Sequence, residues 1–130
     1  MNDKMSSETN ALNWFEIAVT DISRAKNFYE IIFQITMEEM EMEGMKYAMF
    51  PFSPMNGKIA GGLAQSPMHK PGTTGSIIYL NANPDLQLVL DRIENAGGKI
   101  TTSKTSIGQN GFMAFFTDPE GNGMALHSNT

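Results

Sequence analysis

The sequence predicts an α+β domain of two βαβββ modules whose eight strands form a curved sheet around a cleft. Three observations predict it. A strand, helix, strand, strand, strand order occurs twice; a Pro/Gly-rich stretch, Ser66 to Gly75, separates the copies; and 130 residues leave room for one core. Each copy, about 11–66 and 75–130, is too small to bury much core alone, so the pair is expected to share one. The structural rival is a ferredoxin-like pair, with flat sheets, helices on one face and no cavity between the halves.

The elements follow from periodicity and punctuation. Residues 1–10 (MNDKMSSETN) are polar and read as a frayed N-terminal tail, so the single domain is expected to span 11–130. From Leu12 to Val19, Phe15, Ile17 and Val19 alternate with Trp14, Glu16 and Ala18, the pattern of a strand between two environments. Thr20 and Asp21 offer helix caps, and Ala25, Phe28, Tyr29 and Ile32 recur at helical spacing to about Phe33. Ile35 to Met42 and Met45 to Phe50 read as strands joined at Glu43-Gly44 in a tight hairpin, and Pro51 to Gly57 is a loop before a strand at Lys58 to Gln65. The second copy begins with a strand at Ser76 to Ala82. Asn83 is the expected cap, Pro84 the first helical residue, and Leu86, Val89, Leu90, Ile93 and Ala96 the apolar stripe ending at Gly97-Gly98. Strands at Lys99 to Ser106, Gly111 to Thr117 and Gly123 to Ser128 complete it, the last two joined by a turn at Asp118-Pro119-Glu120-Gly121-Asn122.

Composition narrows the function. A net charge of -5 supplies no excess of Lys or Arg to neutralise phosphates, which argues against nucleic acid. The chain has no cysteine, which excludes disulfides, thiolate metal sites and a cysteine nucleophile. No signal-like segment or run of about 18 apolar residues occurs, so the expectation is a cytoplasmic protein with no membrane partner. Eleven methionines fill core gaps or, alternatively, line a plastic ligand pocket. The acidic run Glu38, Glu39, Glu41 and Glu43 has strand spacing and reads as a solvated edge rather than a calcium loop.

Three segments, Trp14 to Tyr29 (WFEIAVTDISRAKNFY), Glu94 to Lys99 (ENAGGK) and Phe115 to Asn122 (FFTDPEGN), resemble the vicinal oxygen chelate superfamily, which includes glyoxalases, bleomycin-resistance proteins and extradiol dioxygenases. With the spacing between them, the resemblance covers Leu12 to Ser128. It implies modules paired through their first strands around a cleft, commonly in a homodimer. In metal-dependent members four side chains, usually His, Glu or Gln, hold a divalent ion there. Carried over residue by residue, those positions fall on Trp14, on the Lys58 to Gln65 strand, on Ser76 to Ile78 and on Ala125. In the Lys58 to Gln65 strand only Gln65 has a suitable oxygen, at the strand end, and Ser76, Ile77 and Ile78 include no imidazole or carboxylate. The expectation is therefore no metal ligands and no cofactor.

Trp14 either stacks a planar ligand or plugs the space of the missing ion. Glu16, on the same face, is an acid or base candidate, or a strand-end carboxylate reaching water. His127 lies on the face of Ala125 and is a candidate to pair with Glu16 across the cleft for proton abstraction if the strands align as the resemblance implies; the favoured reading is a surface histidine. Tyr79 is a candidate hydroxyl, like Tyr47, whose facing depends on register. His69 sits in the linker, where a solvated or interface histidine is expected. The candidate ligand-binding set is Trp14, Glu16, Tyr79, Ala125 and His127. The functions in contention are a metal-free binder of a small organic molecule, a lyase or isomerase related to lactoylglutathione lyase acting through Glu16 and His127 or an atypical metal site, and a ligand-free interaction domain.

Overall fold

The computed structural model describes residues 4–53 and 57–130. Strand alternation and one amphipathic helix build the first module: β1 (Trp14–Ala18), α1 (Ile22–Phe33), β2 (Glu38–Met42), β3 (Met45–Met49) and β4 (Ala60–Gln65). The second repeats the order as β5 (Tyr79–Asn81), α2 (Leu86–Ile93), β6 (Lys99–Ser106), β7 (Phe112–Thr117) and β8 (Gly123–Ser128), with a 3-10 turn at Gly108–Asn110. The eight strands form two four-stranded sheets, ordered β1-β4-β3-β2 and β5-β8-β7-β6. In each, the leading strand runs parallel to the last strand of its own module and the other pairings are antiparallel.

The helix starts are decided by side-chain caps. Asp21 accepts from the Arg24 amide at 3.1 Å, relieving one orphan donor of α1. Gln34 ends the helix in the left-handed conformation. The Glu30 carbonyl then takes the Ile35 amide, and the Glu30 carboxylate takes the Met37 amide at 2.8 Å. Those capping bonds hold residues 35–37 out of the ladder, which is why β2 begins at Glu38 rather than Ile35. A second correction concerns Pro84: the Asn83-Pro84 peptide is cis, and α2 starts at Leu86, capped by Asp85, whose carboxylate accepts from the Gln87 amide at 2.9 Å.

One core spans both modules. Ile22, Ala25, Phe28, Tyr29 and Ile32 of α1 and Leu86, Val89, Leu90 and Ile93 of α2 join Ile17, Leu63, Leu80, Phe116 and Leu126 from the sheets. Burying a ring such as that of Phe28 contributes roughly 2 to 3 kcal/mol. The helices touch each other, and Arg92 donates to the Ile32 carbonyl at 2.9 Å, satisfying an end group of α1. Gly98 is needed here for space: a Cβ would stand 2.8 Å from the Phe28 ring. Among the described residues no buried side-chain polar atom lacks a partner, and no helix is long and apolar enough to cross a membrane.

The 118–122 turn joins the modules. Glu120, its side chain fully buried, accepts from the Thr20 amide and hydroxyl, the Asp21 amide and Arg24 at 2.6 to 3.0 Å. Burial works to raise its pKa, but the Arg24 hydrogen bond and the two amides outweigh that and hold it below the usual carboxylate range. Tyr29 donates to Asp118 at 2.8 Å, and burial, then the Asp118 charge, push its hydroxyl well above the ordinary tyrosine value. Asn122 donates to the Ala18 carbonyl at 2.7 Å and accepts from the Gly72 amide at 3.1 Å. The turn that reads as a reversal in sequence thus also ties β1, α1 and the linker together.

Candidate functional site

Period-two alternation divides the first sheet into two faces. Phe15, Ile17, Ala48 and Leu63 pack toward α1. On the opposite, open face the register places Trp14 beside Ala60, Glu16 beside Gly62 and Met49, and Ala18 beside Ala64 and Tyr47. The Glu43-Gly44 turn, with φ of 48° and 80°, sets Met42 opposite Met45 and Met40 opposite Tyr47. Methionines 40, 42, 45 and 49 therefore share the open face with Trp14 and Tyr47 instead of filling the core. Phe52 meets Trp14 edge to face at 5.3 Å and is itself exposed.

A continuous hydrogen-bonded chain crosses this face. The Trp14 indole donates to the Tyr47 hydroxyl at 2.7 Å, and that hydroxyl donates to one Glu16 oxygen at 3.0 Å. The other Glu16 oxygen lies 2.8 Å from His69 Nε2, and His69 Nδ1 lies 2.7 Å from the Ser66 hydroxyl. With Glu16 ionised, the pattern assigns the Nε2–H tautomer, which leaves Nδ1 to accept from Ser66. Burial chiefly, helped by Glu16, raises the Tyr47 pKa, while the indole hydrogen bond works the other way. The phenol therefore stays protonated at neutral pH and can donate to the carboxylate.

The partner of Glu16 is thus not His127. That histidine, on β8, directs Nε2 at the Asn110 carbonyl at 2.7 Å. Tyr79 is about half exposed and its ring stands 6.1 Å from Phe115. Ala125, fully buried, lies between those two residues in the ladder. Trp14, Glu16 and Tyr47 are brought together on the first sheet, while Tyr79, Ala125 and His127 lie on the second. A groove of about 280 Å³, lined by Glu16, Ala18, Ser76, Ile78, Gly123 and Met124, separates β1 from the segment entering β5.

Sequence reasoning missed His69 and Ser66. A readable signal was present: serine and histidine three residues apart in a turn, with the Met68 amide donating to Ser66 Oγ at 3.1 Å. Counting outward from the two-residue hairpin would likewise have placed Tyr47 on the face of Glu16.

The residues do not fit a divalent ion held in the manner the resemblance implies. Indole offers Trp14 no lone pair, Ala125 has no donor, and the open-face positions of β4 are Ala60, Gly62 and Ala64. A side chain at Gly62 has no room, because its Cβ would collide with the Tyr47 ring. Gln65 is also spent: its side-chain oxygen accepts from the Ile22 amide at 2.7 Å, capping α1. Among the described residues no three His, Cys, Asp or Glu side chains converge.

Comparison with known proteins agrees with this architecture. Among solved structures, a glyoxalase/bleomycin resistance protein from Albidiferax ferrireducens superposes with a TM-score of 0.70 at 15% identity, over 93% of this chain and 100% of that one. A glyoxalase I variant from Zea mays gives 0.65 at 20% identity, over 91% of this chain and 46% of that one. Similarities this low in sequence speak to the fold. The protein "Putative glyoxylase CFP32" of Mycobacterium bovis and Mycobacterium tuberculosis is 29% identical over 116 residues, 88% of this chain. This chain spans only 44% of the length of those curated relatives. A family model matches residues 11–126, nearly the whole of both modules, and with the repeated βαβββ order it shows that the chain belongs to the Glyoxalase/Bleomycin resistance protein/Dioxygenase superfamily.

Proposed function

We propose that this protein binds a small, planar, largely apolar organic molecule on the open face of its first sheet, without a family-type metal. The observation that carries this reading is the chain from Trp14 through Tyr47 to Glu16: it fixes an aromatic ring where the family places a ligand atom, amid four methionines. Apolar walls with a few oriented polar groups are how binding sites for organic molecules are generally built. Thioether side chains adapt to ligands of several shapes. Pairing of two copies over these faces, in a cytoplasmic homodimer, belongs to the same proposal, because Met40, Met42, Phe52, Ile77 and Tyr79 are exposed.

Trp14 is the single tryptophan, so its emission reports the site directly. Titrating metal-stripped protein with 2-naphthol should change that emission saturably, and Tyr47→Phe should weaken the binding several-fold by releasing the indole. No saturable change, or binding that appears only after a divalent ion is restored, would remove the proposal.

A second reading, a lyase or isomerase, is favoured by the Glu16–His69 contact. Glu16 would remove a proton from a carbon beside a carbonyl and return it to the adjacent atom, with His69 Nε2–H steadying the carboxylate. Hemithioacetal turnover by metal-free protein, lost in Glu16→Gln and retained in His127→Ala, supports it. Turnover indifferent to Glu16 eliminates it.

A further inference from the structure

We infer that a second site, separate from the Trp14 face, takes an organic anion: a carboxylate or phosphate group on a small apolar body. The site is a groove of about 500 Å³ where the end of β1, the β2–β3 hairpin and the linker after β4 meet. Its walls include Lys46, Lys70 and His69, with Pro67 and Pro71 supplying apolar surface, and no Asp or Glu is among its lining residues.

This groove differs from the rest of the surface in its charge. The chain holds 14 acidic residues against nine Lys and Arg. Among the described residues most cations are engaged: Arg24 with Glu120, Lys26 with Glu30 and Glu39, Lys104 with Asp85, and Arg92 with the Ile32 carbonyl. Lys4 and Lys58 also have partners. Lys46, Lys70 and Lys99 form no ion pair with described residues, and two of these three face the same groove. In a protein of net charge -5, two ammonium groups without an ion pair beside apolar walls favour an anion, although Glu41 stands across from Lys46 in the β2–β3 ladder and Lys70 also lines the neighbouring groove with Glu16.

The remaining polar groups there are already committed. Gln65 caps α1, the Thr20 hydroxyl bonds Glu120, and both His69 nitrogens are engaged by Glu16 and Ser66. Recognition therefore falls to the two lysines as point charges, with Pro67 and Pro71 contacting the apolar body. His69 is the wall shared with the Glu16 chain. Trp14 is not part of the groove, so this site and the proposed ligand face stand or fall separately.

The test is titration of isotope-labelled protein with benzoate, phenyl phosphate and inorganic phosphate, following backbone amide shifts. Benzoate, phenyl phosphate or both should saturate below about 10 mM, moving the amides of Val19, Gly44, Lys46 and Lys70. Which of the two binds tighter assigns carboxylate or phosphate. The Lys46→Ala/Lys70→Ala double variant should weaken binding about tenfold, the sum expected of two partly solvated charge contacts, whereas Lys99→Ala should leave it within about twofold. Inorganic phosphate should bind more weakly than phenyl phosphate. The inference is overturned if neither organic anion saturates, if Lys99→Ala matches the double variant, or if inorganic phosphate binds as tightly as phenyl phosphate.

Discussion

The leading strands of the two modules set an aromatic ring opposite an alanine in the same parallel ladder, Trp14 with Ala60 and Tyr79 with Ala125, yet the positions two residues on differ completely. In the first module Glu16 faces Gly62, and the space left by the missing side chain admits the Tyr47 ring that links indole to carboxylate. In the second, Asn81 faces His127, the Asn81 side chain turns back to Asn83, and His127 is spent on a loop carbonyl. The repeat supplies a scaffold twice; chemistry depends on which single side chain is absent.

The sharpest way to separate scaffold from site is to cut the seam between modules. Glu120→Ala should cost roughly 3 kcal/mol in denaturant unfolding, because it strands buried donors and unpairs Arg24, and both modules should lose stability together. A loss confined to the second module would mean that the cores are not shared. The same residue predicts acid sensitivity. Its folded pKa lies below its unfolded value, so its stabilisation is complete above the unfolded value and fades as pH falls through the folded one. The stability of Glu120→Gln should therefore fall less steeply with acid than that of the parent, as thermal melts between neutral and acidic pH would reveal.

Gly62→Ala tests the asymmetry itself. The added Cβ meets the Tyr47 ring and should cost about 1 to 3 kcal/mol while shifting Trp14 emission. His127→Ala at the matching position of the second module should change stability by under about 1 kcal/mol and leave emission alone. Equal effects would end the contrast. Tyr47→Phe should cost about 1 kcal/mol, with the chain broken at its centre and the indole freed.

How legible these features were depends on how local their causes are. The helices and the 118–122 turn rest on caps and apolar stripes within a few residues, so Asp21, the α1 stripe and the Asp-Pro-Glu-Gly-Asn reversal could be read directly. The start of β2 could not, because a carboxylate seven residues upstream, Glu30, captures the Met37 amide. Pro84 misled for a related reason: helix propensity places proline first in a helix, but Asp85 and the following turn decide where α2 begins. Trp14 and Glu16 were legible as neighbours on one face. Their partners were not, since Glu16–His69 spans 53 positions and depends on where a linker lies, while the apparent symmetry of Ala125 and His127 pointed to the other sheet.

Mapping amide shifts as metal-free protein is titrated with 2-naphthol distinguishes the first sheet's open face from the second's as the ligand face. Saturating shifts are expected at Trp14, Glu16, Met40, Tyr47 and Met49, with Tyr79, Phe115 and His127 unmoved. Shifts centred on those three second-sheet residues, or none on either sheet, would contradict a ligand face on the first sheet.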